Sequence, residues 1–159
     1  MGLMGRGLAI SLIRAGNNVS GFDAYPEAAE SAAKADIPQV SQLHEIANLS
    51  TIVLALPDSP DVKQVVRELL NNTQPGTLII DCSTIDPIVT TTLSEEAAAI
   101  GVRFRDAGMG GGPADAAEDA PCDGHRAAAE LHVPGSRGVA HLLESLARAA
   151  HAAQQQRPP

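Results

Sequence analysis

From residue 51 to residue 106 the sequence alternates short strand-like runs with stretches of helical periodicity, and this alternation constrains the fold more than any other feature. Runs 51–56 (Thr-Ile-Val-Leu-Ala-Leu) and 77–81 have the length and β-branched content of strands covered on both faces, and 102–106 follows as a third. Ser59-Pro60 reads as a cap plus N1 proline opening a helix over 61–72, where Val62, Val65, Val66, Leu69 and Leu70 form one stripe. Pro75-Gly76 turns the chain into the second strand. Asp86-Pro87 repeats the helix start, and Gly101 stops that helix after Ile100. Strand, helix, strand at these spacings predicts parallel βαβ units, hence an α/β doubly wound sheet.

Upstream, residues 5–15 carry Leu8, Leu12 and Ala15 on one helical face and end at Gly16. Residues 19–22 read as a short buried strand, Pro26 opens an Ala-rich helix over 26–35, and His44 falls in a surface helix. The chain of 159 residues has room for one domain, and its 2% aromatic content demands an aliphatic, Ala-rich core. A net charge of -8 provides no basic surface for nucleic acid or anionic membrane. No apolar run is long enough to span a bilayer, and no charged-then-apolar leader opens the chain. Cys82 and Cys122 lie far apart with no ligand spacing, so no metal site is expected. Composition changes near Pro121: every Ile and Thr precedes it, while His125, His132, His141 and His151 follow. The expected organisation is one folded α/β body over 1–121 and an unrelated tail over 122–159. That tail holds one helical stripe, Val139, Leu142, Leu143 and Leu146, and is read as a loose helix or disorder.

Chemistry gathers at the glycine-rich start and at the strand ends. Gly2-Leu3-Met4-Gly5, followed at once by a helix, matches the back half of a G-x-G-x-x-G fingerprint, in which helix-start amides meet a pyrophosphate and glycine permits close approach. Asp23 follows Gly5 at about the 20-residue spacing at which a carboxylate accepts from the ribose hydroxyls, and it would repel a 2′-phosphate, favouring NAD over NADP. Ligands of a doubly wound sheet bind outside the carboxyl ends of the strands. There stand Leu56-Pro57-Asp58-Ser59-Pro60, Asp81-Cys82-Ser83-Thr84-Ile85-Asp86-Pro87 and Asp106-Ala107-Gly108-Met109-Gly110-Gly111-Gly112-Pro113. Ser83 and Thr84 are small donors, and Gly110 to Gly112 leave bare amides beside a small anion. On the residues alone, the two early glycines serve equally for close helix packing, Ser83 and Thr84 as caps, and the glycine triplet as a flexible loop.

These segments, in this order, resemble the cofactor domain of the β-hydroxyacid dehydrogenase family, the 3-hydroxyisobutyrate dehydrogenase-like enzymes, over residues 2 to about 121. Gly2-Leu-Met-Gly-Arg-Gly7, Phe22-Asp-Ala-Tyr-Pro-Glu-Ala28 and the two segments beginning at Leu56 and Pro75 carry the likeness, with the glycine loop after Asp106. The resemblance implies a Rossmann-type sheet and NAD as cofactor. It implies that Gly2, Leu3, Met4 and Gly5 hold the pyrophosphate, Asp23 the ribose, Leu56 and Pro57 the path beside the cofactor, and Thr84 the nicotinamide side. Ser83, Gly111 and Gly112 would line the substrate carboxylate pocket. The implied reaction is hydride transfer between nicotinamide and a small 3-hydroxy acid or its semialdehyde.

The sequence departs from the family at both ends. The family's apolar first strand, central in the order 3-2-1-4-5-6, is missing, so its two neighbours lose a ladder partner. Gly108 and Gly110 replace the usual Pro and Ser of the last loop. The lysine helix Gly-x-x-Gly-x-x-x-Lys-x-x-Asn is absent, Lys34 and Lys63 lie in no such motif, and none of the five histidines replaces a general acid/base. The helical second domain is absent as well. The expectation is therefore a truncated cofactor-binding portion with no catalytic residue, inactive alone and cytoplasmic unless a transit peptide preceded it. Hydroxy acid would bind only on completion by the missing domain. The alternative reading is a non-catalytic NAD-binding or protein-interaction module.

Overall fold

The computed structural model describes residues 1–107. In chain order these form helices α1 (Leu3–Arg14), α2 (Pro26–Ala33) and α3 (Leu43–Ile46), strand β1 (Thr51–Leu54), helix α4 (Ser59–Leu70), strand β2 (Leu78–Asp81), helix α5 (Pro87–Ala99) and strand β3 (Arg103–Asp106). The three strands make a parallel sheet in sequence order, with Leu54, Asp81 and Asp106 in register at its carboxyl end. The tail expected over 122–159, including its stripe from Val139 to Leu146, lies outside the described residues, as do Gly108 to Gly112.

The helical stripes become the core. Val62, Val66 and Leu69 of α4, with Val89, Leu93 and Ala97 of α5, bury against Ile52, Leu54, Ile79 and Phe104 of the sheet. Every residue of β2 is buried, as its apolar sequence requires of a strand covered on both faces. Helix α5 closes at Gly101, whose φ of +76° suits glycine, and a Cβ there would meet Pro75 Cβ at 3.2 Å.

Two expectations are corrected. The cap of α4 is Asp58, not Ser59: the Asp58 carboxylate accepts from the Asp61 N–H at 3.0 Å, while Ser59 Oγ accepts from the Asp86 N–H at 3.1 Å. A carboxylate has more acceptor capacity than a hydroxyl and also suits the positive end of the helix. Residues 19–22 form no strand of the sheet, and only Gly21 makes an isolated parallel bridge, to Gln39. Among the described residues no strand stands between that bridge and β1, so this segment has no ladder partner on the side facing the sheet. The Met1 side chain packs there instead, since a Cβ at Gly21 would run into the Met1 sulfur and the Gln39 amide.

Candidate functional site at the carboxyl ends of the strands

The carboxyl edge of the sheet is joined by hydrogen bonds from one strand to the next. Strand β1 leaves the ladder after Leu54, because the Leu56 N–H turns to Ser83 Oγ at 2.9 Å. The Cys82 N–H donates to the Leu54 carbonyl at 2.8 Å and the Ala107 N–H to the Asp81 carbonyl at 2.7 Å. Asp81 closes β2 with its carboxyl fully buried: Oδ1 accepts from the Ser83 N–H at 3.0 Å, and Oδ2 has no hydrogen-bond partner among the described residues. Burial pushes the Asp81 carboxyl above the usual carboxylate range; the bonds from Ser83 oppose this, and the neighbouring Asp106 carboxylate adds to it.

Helix α1 begins beside this edge. A Cβ at Gly5 would lie 3.8 Å from Ala55 Cβ and 3.7 Å from Met1 Cε, which places the first turn at the end of β1. Gly2 is its N-cap, no side chain caps it, its first turn carries no acidic residue, and the space over Gly2 is open. Helices α4 and α5, by contrast, are closed by the carboxylates of Asp58 and Asp86. The α1 start therefore leaves amides free of any side-chain partner for an anion. Asp23 reaches the same place from the other side: its Oδ2 stands 3.2 Å from the Met1 ammonium, and its Oδ1 accepts from the Tyr25 N–H at 2.9 Å.

Of the residues singled out in the sequence, the structure brings Gly2, Leu3, Met4 and Gly5 to the α1 start, Asp23 to Met1 beside them, and Leu56 to Ser83. Leu3, Pro57 and Thr84 are exposed, whereas Ser83 is buried with its oxygen engaged by the Leu56 N–H. Gly111 and Gly112 lie outside the described residues. Lys34 caps the end of α2, and Lys63 lies in α4 near Glu96 of α5. His44 is exposed on α3. Among the described residues no group of three or more His, Cys, Asp or Glu is placed to hold a metal ion. Sequence reading placed Asp81 in the segment at the end of the second strand but gave it no role in the site. The available signal was an acid ending a run that is otherwise apolar and buried on both faces.

A parallel sheet whose carboxyl edge lies beside an uncapped, glycine-containing helix start is the geometry of a dinucleotide-binding Rossmann domain. The model of the NAD binding domain of 6-phosphogluconate dehydrogenase matches residues 1–133, and the chain belongs to that family. Mitochondrial 3-hydroxyisobutyrate dehydrogenase of Mus musculus is 31% identical over 116 residues, covering 70% of this chain and 35% of that protein. The chain thus spans about a third of the length of the curated relatives it matches. Mycobacterium tuberculosis 3-hydroxyisobutyrate dehydrogenase, solved with L-serine, superposes with a TM-score of 0.71 at 31% identity, over 75% of this chain and 41% of that one. The Salmonella typhimurium 3-hydroxyisobutyrate dehydrogenase shares the fold, with a TM-score of 0.69 at 21% identity over 96% of this chain and 61% of that one.

Proposed function

We propose that residues 1–121 are the cofactor-binding portion of a 3-hydroxyacid dehydrogenase, and that NAD rather than NADP lies along the carboxyl edge of the sheet. The observation that supports this best is the continuous line from Asp23 through Met1 to Gly5, then Ala55, Leu56 and Ser83. It has the order of a dinucleotide, with ribose, pyrophosphate and nicotinamide side in turn. The bound cofactor supplies hydride transfer at the nicotinamide.

The chain's own residues bind and orient. Asp23 accepts from ribose hydroxyls and disfavours a 2′-phosphate, and the amides from Gly2 to Gly5 receive the pyrophosphate. Leu56 and Pro57 line the path, and Thr84, exposed at the start of the loop after β2, meets the nicotinamide side. Ser83, Gly111 and Gly112 belong to the substrate carboxylate pocket. L-serine, present in the solved M. tuberculosis relative, is itself a small 3-hydroxy acid, which fits the proposed substrate class. The two lysines, Lys34 after α2 and Lys63 in α4, lie outside any Gly-x-x-Gly-x-x-x-Lys-x-x-Asn motif, so the reading assigns neither as proton acceptor for a substrate hydroxyl. The reading is a chain that binds cofactor and does not turn over substrate alone, with a compartment set by its cellular context, cytosol or mitochondrion.

Calorimetric titration with NADH and NADPH tests this. NADH is expected to bind in the micromolar range and NADPH more weakly. Asp23→Ala should weaken NADH by about tenfold, the size of effect that losing a charge-assisted hydrogen bond gives, and narrow the gap between the cofactors. No heat with either cofactor from a folded chain would overturn the reading.

A further inference from the structure

We infer that Asp81 is the positioning residue of the cofactor edge, its carboxyl fixing the Ser83 backbone so that Ser83 Oγ captures the Leu56 N–H and locks the loop after β1 to the loop after β2. The inference rests on the cofactor reading above and assigns a role that the reading leaves unfilled. Its ground is a chain of two bonds, Ser83 N–H to Asp81 Oδ1 at 3.0 Å and Leu56 N–H to Ser83 Oγ at 2.9 Å. The first link sets the turn from which the hydroxyl of the second projects. The sheet itself does not need this acid. The backbone of Asp81 already makes its ladder bonds, and the preceding residues of β2 are Leu78, Ile79 and Ile80.

A carboxyl that is fully buried with one oxygen unpartnered among the described residues is expensive, and an apolar side chain would end the strand at less cost. What the carboxyl adds is the bond to Ser83. Both loops it joins carry residues assigned to the cofactor path, Leu56 and Pro57 on one side and Thr84 on the other. Asp81 touches none of the reacting atoms and acts through Ser83.

The test uses the full chain with Asp81→Asn, Asp81→Ala, Ser83→Ala and the double variant Asp81→Ala with Ser83→Ala. Two readouts are taken: hydrogen exchange at the Leu56 amide and NADH affinity. Asp81→Ala and Ser83→Ala should each expose the Leu56 amide and weaken NADH by about fivefold, the effect of losing one hydrogen bond, and the double variant should lose no more than the worse single one. Asp81→Asn keeps an acceptor oxygen for the Ser83 N–H and should restore both readouts to within about twofold of the parent chain. Should Asp81→Ala fail to fold, Asp81→Asn and Ser83→Ala still decide. An unchanged Leu56 exchange rate in Ser83→Ala, or an Asp81→Asn variant as impaired as its alanine counterpart, overturns the inference. A parent chain that binds no NADH sinks the cofactor reading instead, and the exchange rates still report on the Asp81 linkage.

Discussion

A carboxyl buried at the end of an apolar strand makes stability depend on pH in a direction opposite to most carboxylates. Burial, reinforced by Asp106, raises the folded-state pKa of Asp81 against the pull of Ser83. The contribution of Asp81 is therefore full below the ordinary carboxylate value of about 4 and is lost as pH rises through the raised folded value. Glu45 and Glu96 run the other way. The Ser41 hydroxyl holds Glu45 low and the Arg67 guanidinium holds Glu96 low, so their contributions are present above the ordinary value and are lost as pH falls. Comparing Asp81→Asn with the parent chain cancels these terms. The urea midpoint of the parent chain should fall relative to that of the asparagine variant between acid and neutral pH, and parallel curves would show that Asp81 does not titrate in that range.

Among the elements, α4 and α5 carry the stability, since their stripes cover β1 to β3. Leu93 is fully buried in that layer, so Leu93→Ala should cost about 2–5 kcal/mol in urea unfolding, the range for a large-to-small core change. Asp58→Ala should cost about 0.5–2 kcal/mol because it leaves the Asp61 amide without its cap. The Arg67–Glu96 pair, at 2.6 Å, joins α4 to α5 on the surface, and Arg67→Ala should have a small effect that high salt abolishes. Both helices were legible because periodicity and proline starts are local signals. Asp86 caps α5 as its Asp-Pro start predicts, but the cap of α4 was less legible: Asp58 and Ser59 are adjacent, and only the observed bonds show that the carboxylate takes the helix while the hydroxyl takes Asp86.

For the whole molecule, the edge of β1 that meets no strand among the described residues matters most. Ser50 and Leu54 give their carbonyls to β2, so by strand alternation Thr51 and Val53 turn their backbone groups to the other edge, where the described residues offer no strand. An unpaired strand edge is a template for association. The chain should self-associate as concentration rises, measured by sedimentation velocity. Thr51→Pro removes an outward donor without touching the β2 ladder and should reduce that association. Equal association of parent and variant would mean that the edge is not the contact.

Local chemistry determined the parallel α/β pattern, the helix starts at Pro26 and Pro87 and the stop at Gly101, because each depends on near neighbours in sequence. Segment 19–22 failed as a strand for the converse reason. Strand formation needs a partner's hydrogen bonds, and a run of suitable residues cannot supply that partner. Only the tertiary structure brought Asp23 to Met1, Gly5 to Ala55 and Leu56 to Ser83. It alone buried the Asp81 carboxyl between two neighbouring strands, because long-range packing decides which polar atoms lose water and which find partners in its place.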